Sequence, residues 1–129
     1  MQPEVRTVAG QPCWIVRSST VELAVTQLGG HMAPVTFCRD TPRPVQPYYV
    51  SPWQTEGLAI DEPVLVPLRG DFFCMPFGGN AVSWRGERHR VHGEPAAARW
   101  KLLGLESAGG VATVRLAMRT RVRPGAIFK

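Results

Sequence analysis

The sequence lacks the features of membrane-spanning and secreted chains. In its 129 residues, no apolar run approaches the ~20 residues that a transmembrane helix needs. Its first residues, MQPEVRTVAGQPCW, contain no apolar core of signal-peptide length. We therefore expect a cytoplasmic protein with no membrane partner.

Cysteine is scarce, and its spacing indicates neither a disulfide framework nor a metal site. The three cysteines, Cys13, Cys38 and Cys74, cannot all pair with one another. Their separations of 25 and 36 residues match no common metal-ligand spacing. The sequence also has no paired-histidine metal motif, no phosphate-binding glycine loop and no Ser/His/Asp order. We expect reduced thiols, no metal and no cofactor.

Lysine is rare as well, because thirteen of the fifteen basic residues are arginine. The net charge of +5 suggests a nucleic-acid partner, but no helix-turn-helix, zinc-finger or aromatic RNA-binding pattern is present. We therefore expect no nucleic-acid partner. Arg115, Arg119, Arg121 and Arg123 occupy odd positions of VATVRLAMRTRVRPG, with mostly apolar residues between them. This alternation predicts a strand with one basic face. A solvated face is the favoured interpretation, and a phosphate-binding stripe is the alternative.

Short apolar runs separated by turn residues make up most of the chain. The 13 glycines and 12 prolines are dispersed between runs that alternate with a period of two. TVELAVTQL and HMAPVTFC predict a hairpin around Gly29 and Gly30, and RWKLLGLES with GVATVRLAMRTRV predicts another. PCWIVRS predicts a further strand, and RPGAIFK resembles the start of one. The sequence thus predicts one all-β, antiparallel domain over residues 1–129, with no helix of ten residues or more.

The residues with the strongest chemical interest lie in LRGDFFCMPFGGN and HGEPAAARW. Arg69 follows a predicted strand, where it can pair with Asp71 or another carboxylate, or bind a hydroxylated or anionic ligand. His92 lies in a polar loop and can exchange a proton near neutral pH, which makes it the catalytic candidate. Asp71 and Asn80 complete the candidate substrate-binding set. His31 and His89 are weaker candidates.

Trp53, Trp84 and Trp100 offer flat faces for sugar stacking, although packing in the core is the commoner role of tryptophan. Glu94 lies two residues after His92, so an extended segment would place both on one side as a makeshift acid–base pair.

These two segments together resemble the N-terminal motif region of the aldose 1-epimerase, or galactose mutarotase-like, superfamily. The similarity is greatest to the hexose-6-phosphate mutarotase type, in which an Arg-Gly-Gly segment precedes a Pro-x-Phe-Gly turn and a His-Gly-Phe-Ala-Arg segment. His92 and Trp100 keep the family's spacing of eight residues, and VELAVTQLGGHMAPVTF resembles its first hairpin. The resemblance extends over residues 20–105.

The resemblance implies a large antiparallel β-sandwich of which this chain would be the N-terminal portion, incomplete at its C-terminus. It implies interconversion of sugar anomers without a cofactor, with Arg69 as a substrate contact and His92 as an active-site histidine. The family's catalytic base is a glutamate from the C-terminal part, and no stretch here matches it. Ala96 stands where the motif has an arginine, so whether the sugar is phosphorylated is left open.

Three functional hypotheses follow. The first is a carbohydrate-binding, mutarotase-like isomerase fragment that lacks its base and is inactive alone. The second is a non-catalytic carbohydrate-binding module, and the third is a basic interaction domain for anionic partners. For the first two hypotheses the expected partner is a small-molecule sugar. The chain can also associate with itself through an exposed strand edge.

Overall fold

The computed structural model describes residues 3–129, which form seven strands, one short 3-10 helix and no α-helix. The predicted all-β, antiparallel class is confirmed. No helix in the described range is long and apolar enough to cross a membrane. The strands are β1 (Glu4–Val8), β2 (Gln11–Arg17), β3 (Glu22–Thr26), β4 (Met32–Thr36), β5 (Lys101–Ala108), β6 (Val111–Thr120) and β7 (Gly125–Phe128), and the 3-10 helix is Pro52–Thr55.

The first sheet has the order β1-β2-β3-β4, and every strand is antiparallel to its neighbour. The predicted hairpin of β3 and β4 is confirmed, with Val25 paired to Met32 across the Gly29–Gly30 turn. Strand β1 was not predicted. Its residues are mostly exposed, so its ladder to β2 and the ion pair of Arg6 with Glu22 hold it in place instead of apolar burial.

The second sheet has the order β5-β6-β7. The predicted β5–β6 hairpin is confirmed, and RPGAIFK does contain a strand, β7, on the other side of β6. The alternation along β6 is confirmed too, because Arg115 and Arg119 are exposed while Leu116 and Met118 are buried. One face of this sheet is therefore basic and the other is apolar.

The apolar faces of the two sheets pack into one core. Trp14 and Val25 from the first sheet cluster with Leu116, Met118 and Ile127 from the second. Trp100, buried beside them, donates its indole N–H to the carbonyl of Pro95 at 3.0 Å, so its polar atom is satisfied inside the core. The arrangement is sandwich-like.

The chain between the sheets, residues 37–100, contains turns, isolated bridges and the 3-10 helix but no strand. The proline-rich stretch of residues 45–63 is mostly exposed and contains no strand. The short apolar segments VLVPLRG, DFFCMPF and NAVSW make single bridges instead of strands. Proline removes backbone donors from the first two, which limits ladder formation. This connecting segment carries all the residues predicted to form a site.

Candidate functional site

The His-Gly motif is held in an uncommon backbone conformation. His92 has φ +63° and Gly93 has φ +72°, and Gly93 forms a bridge with Met75. Histidine tolerates this left-handed region better than most residues with a side chain. The half-buried His92 ring makes edge contacts with Phe72 and Phe77, whose centroids lie 5.4 and 5.8 Å away. These contacts fix the orientation of the imidazole.

Cys74 contacts this imidazole, with 3.5 Å between Sγ and Nδ1 of His92. Burial raises the pKa of the Cys74 thiol, and the negative charge of Asp71 raises it further. The thiol therefore stays protonated at neutral pH. Because a thiolate is the reactive form, the pair is not arranged as an activated nucleophile.

Arg69 is 1% exposed and binds atoms of its own chain. Its Nη1 donates to the carbonyl of Val8 at 2.8 Å, and its Nη2 donates to the carbonyl of Ala9 and to Oε1 of Gln54, both at 2.8 Å. Its Nε donates to the carbonyl of Pro67. Burial lowers the pKa of the guanidinium. The structure thus shows an intramolecular clasp, and a ligand contact by Arg69 stays a prediction.

Asp71 and Asn80 are placed differently from each other. Asp71 is exposed, and its backbone bridges to Met32. The side-chain amide of Asn80 donates to the carbonyls of Val82 and Glu87, both at 2.9 Å, and its oxygen accepts from the backbone N–H of His89. Asn80 therefore holds a loop together, and substrate contact by either residue stays a prediction.

The structure brings some of these residues together and separates others. The Cys74–His92 contact links the two motif segments, and Asp71 lies near enough to act on Cys74 electrostatically. The backbone N–H of Arg69, and not its guanidinium, faces this region, because it donates to Nδ1 of His31. The guanidinium of Arg69 binds Val8, Ala9, Gln54 and Pro67, whereas the imidazole of His92 contacts Phe72, Cys74 and Phe77, so the two side chains share no partner.

His31, a weak candidate from sequence, is completely buried at the centre of this region. Its ring stacks on Phe72 at 4.3 Å, its Nδ1 accepts from the backbone of Arg69, and its Nε2 lies 2.8 Å from the carbonyl of Ala96. These partners define the neutral tautomer that carries its proton on Nε2. Burial lowers the pKa of His31 to about 4.

This lowered pKa makes the stability of the fold depend on pH. Between about pH 6.5 and 4 the unfolded chain binds a proton at His31 that the folded chain does not. The contribution is therefore complete above pH 6.5 and decreases as the pH falls, by about 3 kcal/mol in total. Urea unfolding at pH 5.0, 5.75, 6.5 and 7.5 measures the slope (~1.4 kcal/mol per pH unit at its steepest).

Two variants separate this effect from other titrations. His31→Gln keeps an N–H for Ala96 but does not titrate, so we expect it to lose most of the slope above pH 5. His89→Gln removes the histidine that pairs with Glu87 and should retain the slope. The carboxyls of Glu22 and Glu87 have lowered pKa values because of their arginine partners, so their contribution is lost only at lower pH. An equal slope in His31→Gln would contradict the prediction.

A small hairpin, residues 80–89, projects from the connecting segment and is called here the Trp84 loop. The backbones of Trp84 and Glu87 exchange two hydrogen bonds across Arg85 and Gly86, which have φ +49° and +79°. Positive φ at both central residues is typical of a type I′ turn. The guanidinium of Arg85 lies 4.6 Å from the centroid of the Trp84 ring and covers one of its faces. Trp84 is nevertheless 57% exposed.

The Trp84 loop forms one wall of a concavity of 560 Å³, called here the Trp84 concavity. This volume lies within the range of about 300–1,000 Å³ that small-molecule sites occupy. His92 does not line it. Its lining combines an aromatic face and apolar atoms with carboxylates, an amide and an imidazole, from Met75, Pro76, Gly78, Gly79, Asn80, Trp84, Glu87, His89, Glu94, Thr120 and Arg123.

The carboxylates of the Trp84 concavity are held in place by hydrogen bonds within the chain. Glu87 accepts from Nε of Arg123 at 2.7 Å and lies 3.2 Å from Nε2 of His89. Arg123, and then His89, lower the pKa of the Glu87 carboxyl, which therefore stays ionised near neutral pH. Glu94 accepts from the backbone N–H groups of Arg121 and Val122 at 2.9 and 3.1 Å. Glu94 thus contacts the turn after β6 and forms no pair with His92.

No protein-family model, no curated protein and no solved structure matches the chain. The resemblance to the mutarotase-like superfamily is therefore carried by the sequence motifs alone and stays a prediction. Among residues 3–129, no cluster of three or more histidine, cysteine or acidic side chains is arranged to hold a metal ion. Three arginines of the connecting segment that lie near β6 were not singled out in the sequence: Arg88, Arg90 and Arg99. No local pattern marks them, because folding alone places them beside β6.

Proposed function

We propose that this chain binds a small carbohydrate in the Trp84 concavity and does not catalyse mutarotation efficiently by itself. The observation that carries this proposal is a strongly exposed tryptophan in the wall of a concavity that also contains two carboxylates and an imidazole. A pyranose has an apolar face that packs on an aromatic ring and hydroxyls that hydrogen-bond to carboxylates. The free face of Trp84 and the oxygens of Glu87 and Glu94 supply both kinds of contact.

The catalytic part of the proposal follows from which groups lie near one another. Anomer interconversion needs an acid and a base within hydrogen-bond reach of the same sugar ring. His92 lies outside the Trp84 concavity, and Arg69 stays protonated and bonded to its own chain. The carboxylate of Glu94 already accepts two backbone N–H groups. We therefore propose binding without turnover in this chain.

The mutarotase-like ancestry and the location belong to the same proposal. The motifs around Arg69 and His92 and the confirmed β3–β4 hairpin support a relationship with the N-terminal portion of the galactose mutarotase-like sandwich. The three cysteines are free thiols, as is usual in reducing compartments, which supports a cytoplasmic location. The edge strands of each sheet support self-association as a further proposal.

Calorimetric titration with glucose, galactose and N-acetylglucosamine tests the binding. We expect a dissociation constant on the order of 1 mM for at least one of them. Trp84→Ala should weaken it about fivefold to tenfold, because stacking on an aromatic ring is worth about 1 kcal/mol or more. Tyr49→Ala is the matched control, since Tyr49 is 72% exposed but does not line the Trp84 concavity. It should bind as the parent chain does.

Polarimetry of freshly dissolved α-glucose tests the catalytic part separately. The rate of mutarotation in the presence of this chain should equal the rate in the same buffer with an equal mass of an inert protein. Strong acceleration that disappears in Glu94→Gln would show that Glu94 is a working base. Sugar affinity that is the same in the parent chain, Trp84→Ala and Glu94→Gln, or that is absent for all three sugars, would refute the proposed site.

A further inference from the structure

A second concavity, of 640 Å³, lies on the other side of Glu94 and collects five arginines. One lies in the Trp84 loop and one directly after it, one precedes Trp100, and two lie at the end of β6 and in the turn after it. Leu28, Ala97, Ala98 and Val122 supply the rest of its lining with Glu94. We call it the arginine concavity and define it by Arg88, Arg90, Arg99, Arg119 and Arg121.

None of these five arginines forms an ion pair with a carboxylate of residues 3–129. Of the eight other arginines, Arg6, Arg17, Arg115 and Arg123 each pair with a glutamate, whereas Arg39, Arg43, Arg69 and Arg85 do not. Half of the arginines elsewhere are thus neutralised by a carboxylate. Within the arginine concavity none is.

The one carboxylate present does not compensate the arginines. Glu94 lines the arginine concavity, but its oxygens accept from the backbone N–H groups of Arg121 and Val122. Five arginines and one glutamate give the lining of the arginine concavity a formal net charge of +4. Arginine keeps its proton in proteins, so a bound anion would neutralise charges that water and salt only screen.

The backbone beneath these arginines is firmly placed. Leu28 forms a bridge with Arg99, and the following Trp100 donates its backbone N–H to the carbonyl of Gln27 at 2.9 Å. Arg119 lies within β6, opposite Ala126 of β7. A site built on paired backbone loses less entropy on binding than one built on a mobile loop. The side chains of Arg99 and Arg119 therefore extend from backbone that is held by pairing.

We propose that the arginine concavity binds a small molecule that carries at least two phosphate groups. Guanidinium groups match phosphate oxygens through paired, charge-assisted hydrogen bonds, and several of them together favour an anion of high charge density. The positive charges surround a compact space instead of forming an extended track, so the occupant is a small polyphosphate and not a nucleic-acid strand. This site is distinct from the Trp84 concavity and does not depend on sugar binding there.

Titration calorimetry with inorganic tripolyphosphate, pyrophosphate and phosphate, at 50 and 200 mM NaCl, tests the proposal. Affinity should rise in the order phosphate, pyrophosphate, tripolyphosphate. It should fall when the salt is raised, because several charge contacts are screened. Arg119→Gln should weaken tripolyphosphate binding at least tenfold, roughly the effect of one charge-assisted contact. Arg99→Gln should act in the same direction.

Arg115→Gln is the matched control. Arg115 lies on the same strand and the same exposed face as Arg119, but it pairs with Glu106 and does not line the arginine concavity. Both variants lower the net charge equally, so a difference between them reports the site and not overall charge. All these side chains are exposed, and unchanged thermal midpoints should confirm that each variant is folded.

Three results would overturn the proposal. One is no detectable tripolyphosphate binding at 50 mM NaCl. Another is an equal loss of affinity in Arg119→Gln and Arg115→Gln, which would indicate attraction by net charge alone. The third is much tighter binding of a 20-nucleotide single strand, lost in Arg119→Gln, which would assign the surface to nucleic acid.

Discussion

Arg69→Met is expected to lower the free energy of unfolding by about 4 kcal/mol. The guanidinium connects three separate parts of the chain: the turn between β1 and β2 through Val8 and Ala9, the 3-10 helix through Gln54, and its own loop through Pro67. Methionine fills a similar volume but leaves these acceptors, one buried and three partly buried, without donors. Each unsatisfied buried acceptor costs about 1–3 kcal/mol, and release from burying a charge offsets part of that cost.

Chemical denaturation with urea at pH 7.5 measures this effect. Arg69→Lys keeps the charge but cannot reach both sides of the clasp with a compact ammonium group, so an intermediate loss is expected. Arg43→Met is the control, because Arg43 is exposed in the connecting segment and should change stability by less than about 0.5 kcal/mol. If Arg69→Met unfolded at the same urea concentration as the parent chain, the clasp would contribute nothing to the fold.

Gly93→Ala is expected to destabilise the fold by about 3–4 kcal/mol. Two terms contribute. A residue with a side chain at φ +72° costs about 1–2 kcal/mol, and a Cβ at this position would overlap the carbonyl oxygen of Met75. That carbonyl is part of the bridge between the two motif segments, so it cannot move without displacing the backbone.

Gly109→Ala isolates the first term, the conformational cost of a positive φ. Gly109 lies in the β5–β6 turn with φ +58°, but a Cβ there would meet no atom within 4 Å. It should therefore lose only the conformational part, about 1 kcal/mol. Thermal unfolding of both variants gives the comparison. Equal losses would show that the close approach of Met75 and Gly93 is absent or easily relaxed.

The strands that bury apolar side chains were predictable from sequence, and the others were not. The two-residue period of β3, β4, β5 and β6 follows from one face of each sheet packing on the shared core. Strand β1 packs little, so its sequence carries no such period. The apolar segments around Pro67 and Pro76 contain suitable residues, but long-range bridges decide their conformation, and these cannot be deduced from neighbours in the chain.

The candidate site shows the same division. The contact of Cys74 with His92 brings together the two segments whose motifs were singled out in the sequence. The burial of Arg69 could not be deduced, because its acceptors on Val8 and Ala9 lie about sixty residues away in the chain. Arg119 and Arg121 were noticed as part of a basic strand. The fold adds Arg88, Arg90 and Arg99 to them, and this turns a stripe into a concavity.

The order of pairing in the two sheets also determines how the chain can reach its folded state. Every strand pairs with a neighbour in sequence, so each meander forms by closing short turns. Docking of the meanders closes a loop over the 64 residues from 37 to 100, at an entropic cost of roughly 4 kcal/mol. That cost grows only by about 0.6 kcal/mol when a loop doubles in length. The exposed part of the connecting segment is thus where evolution can lengthen this chain with little loss of stability.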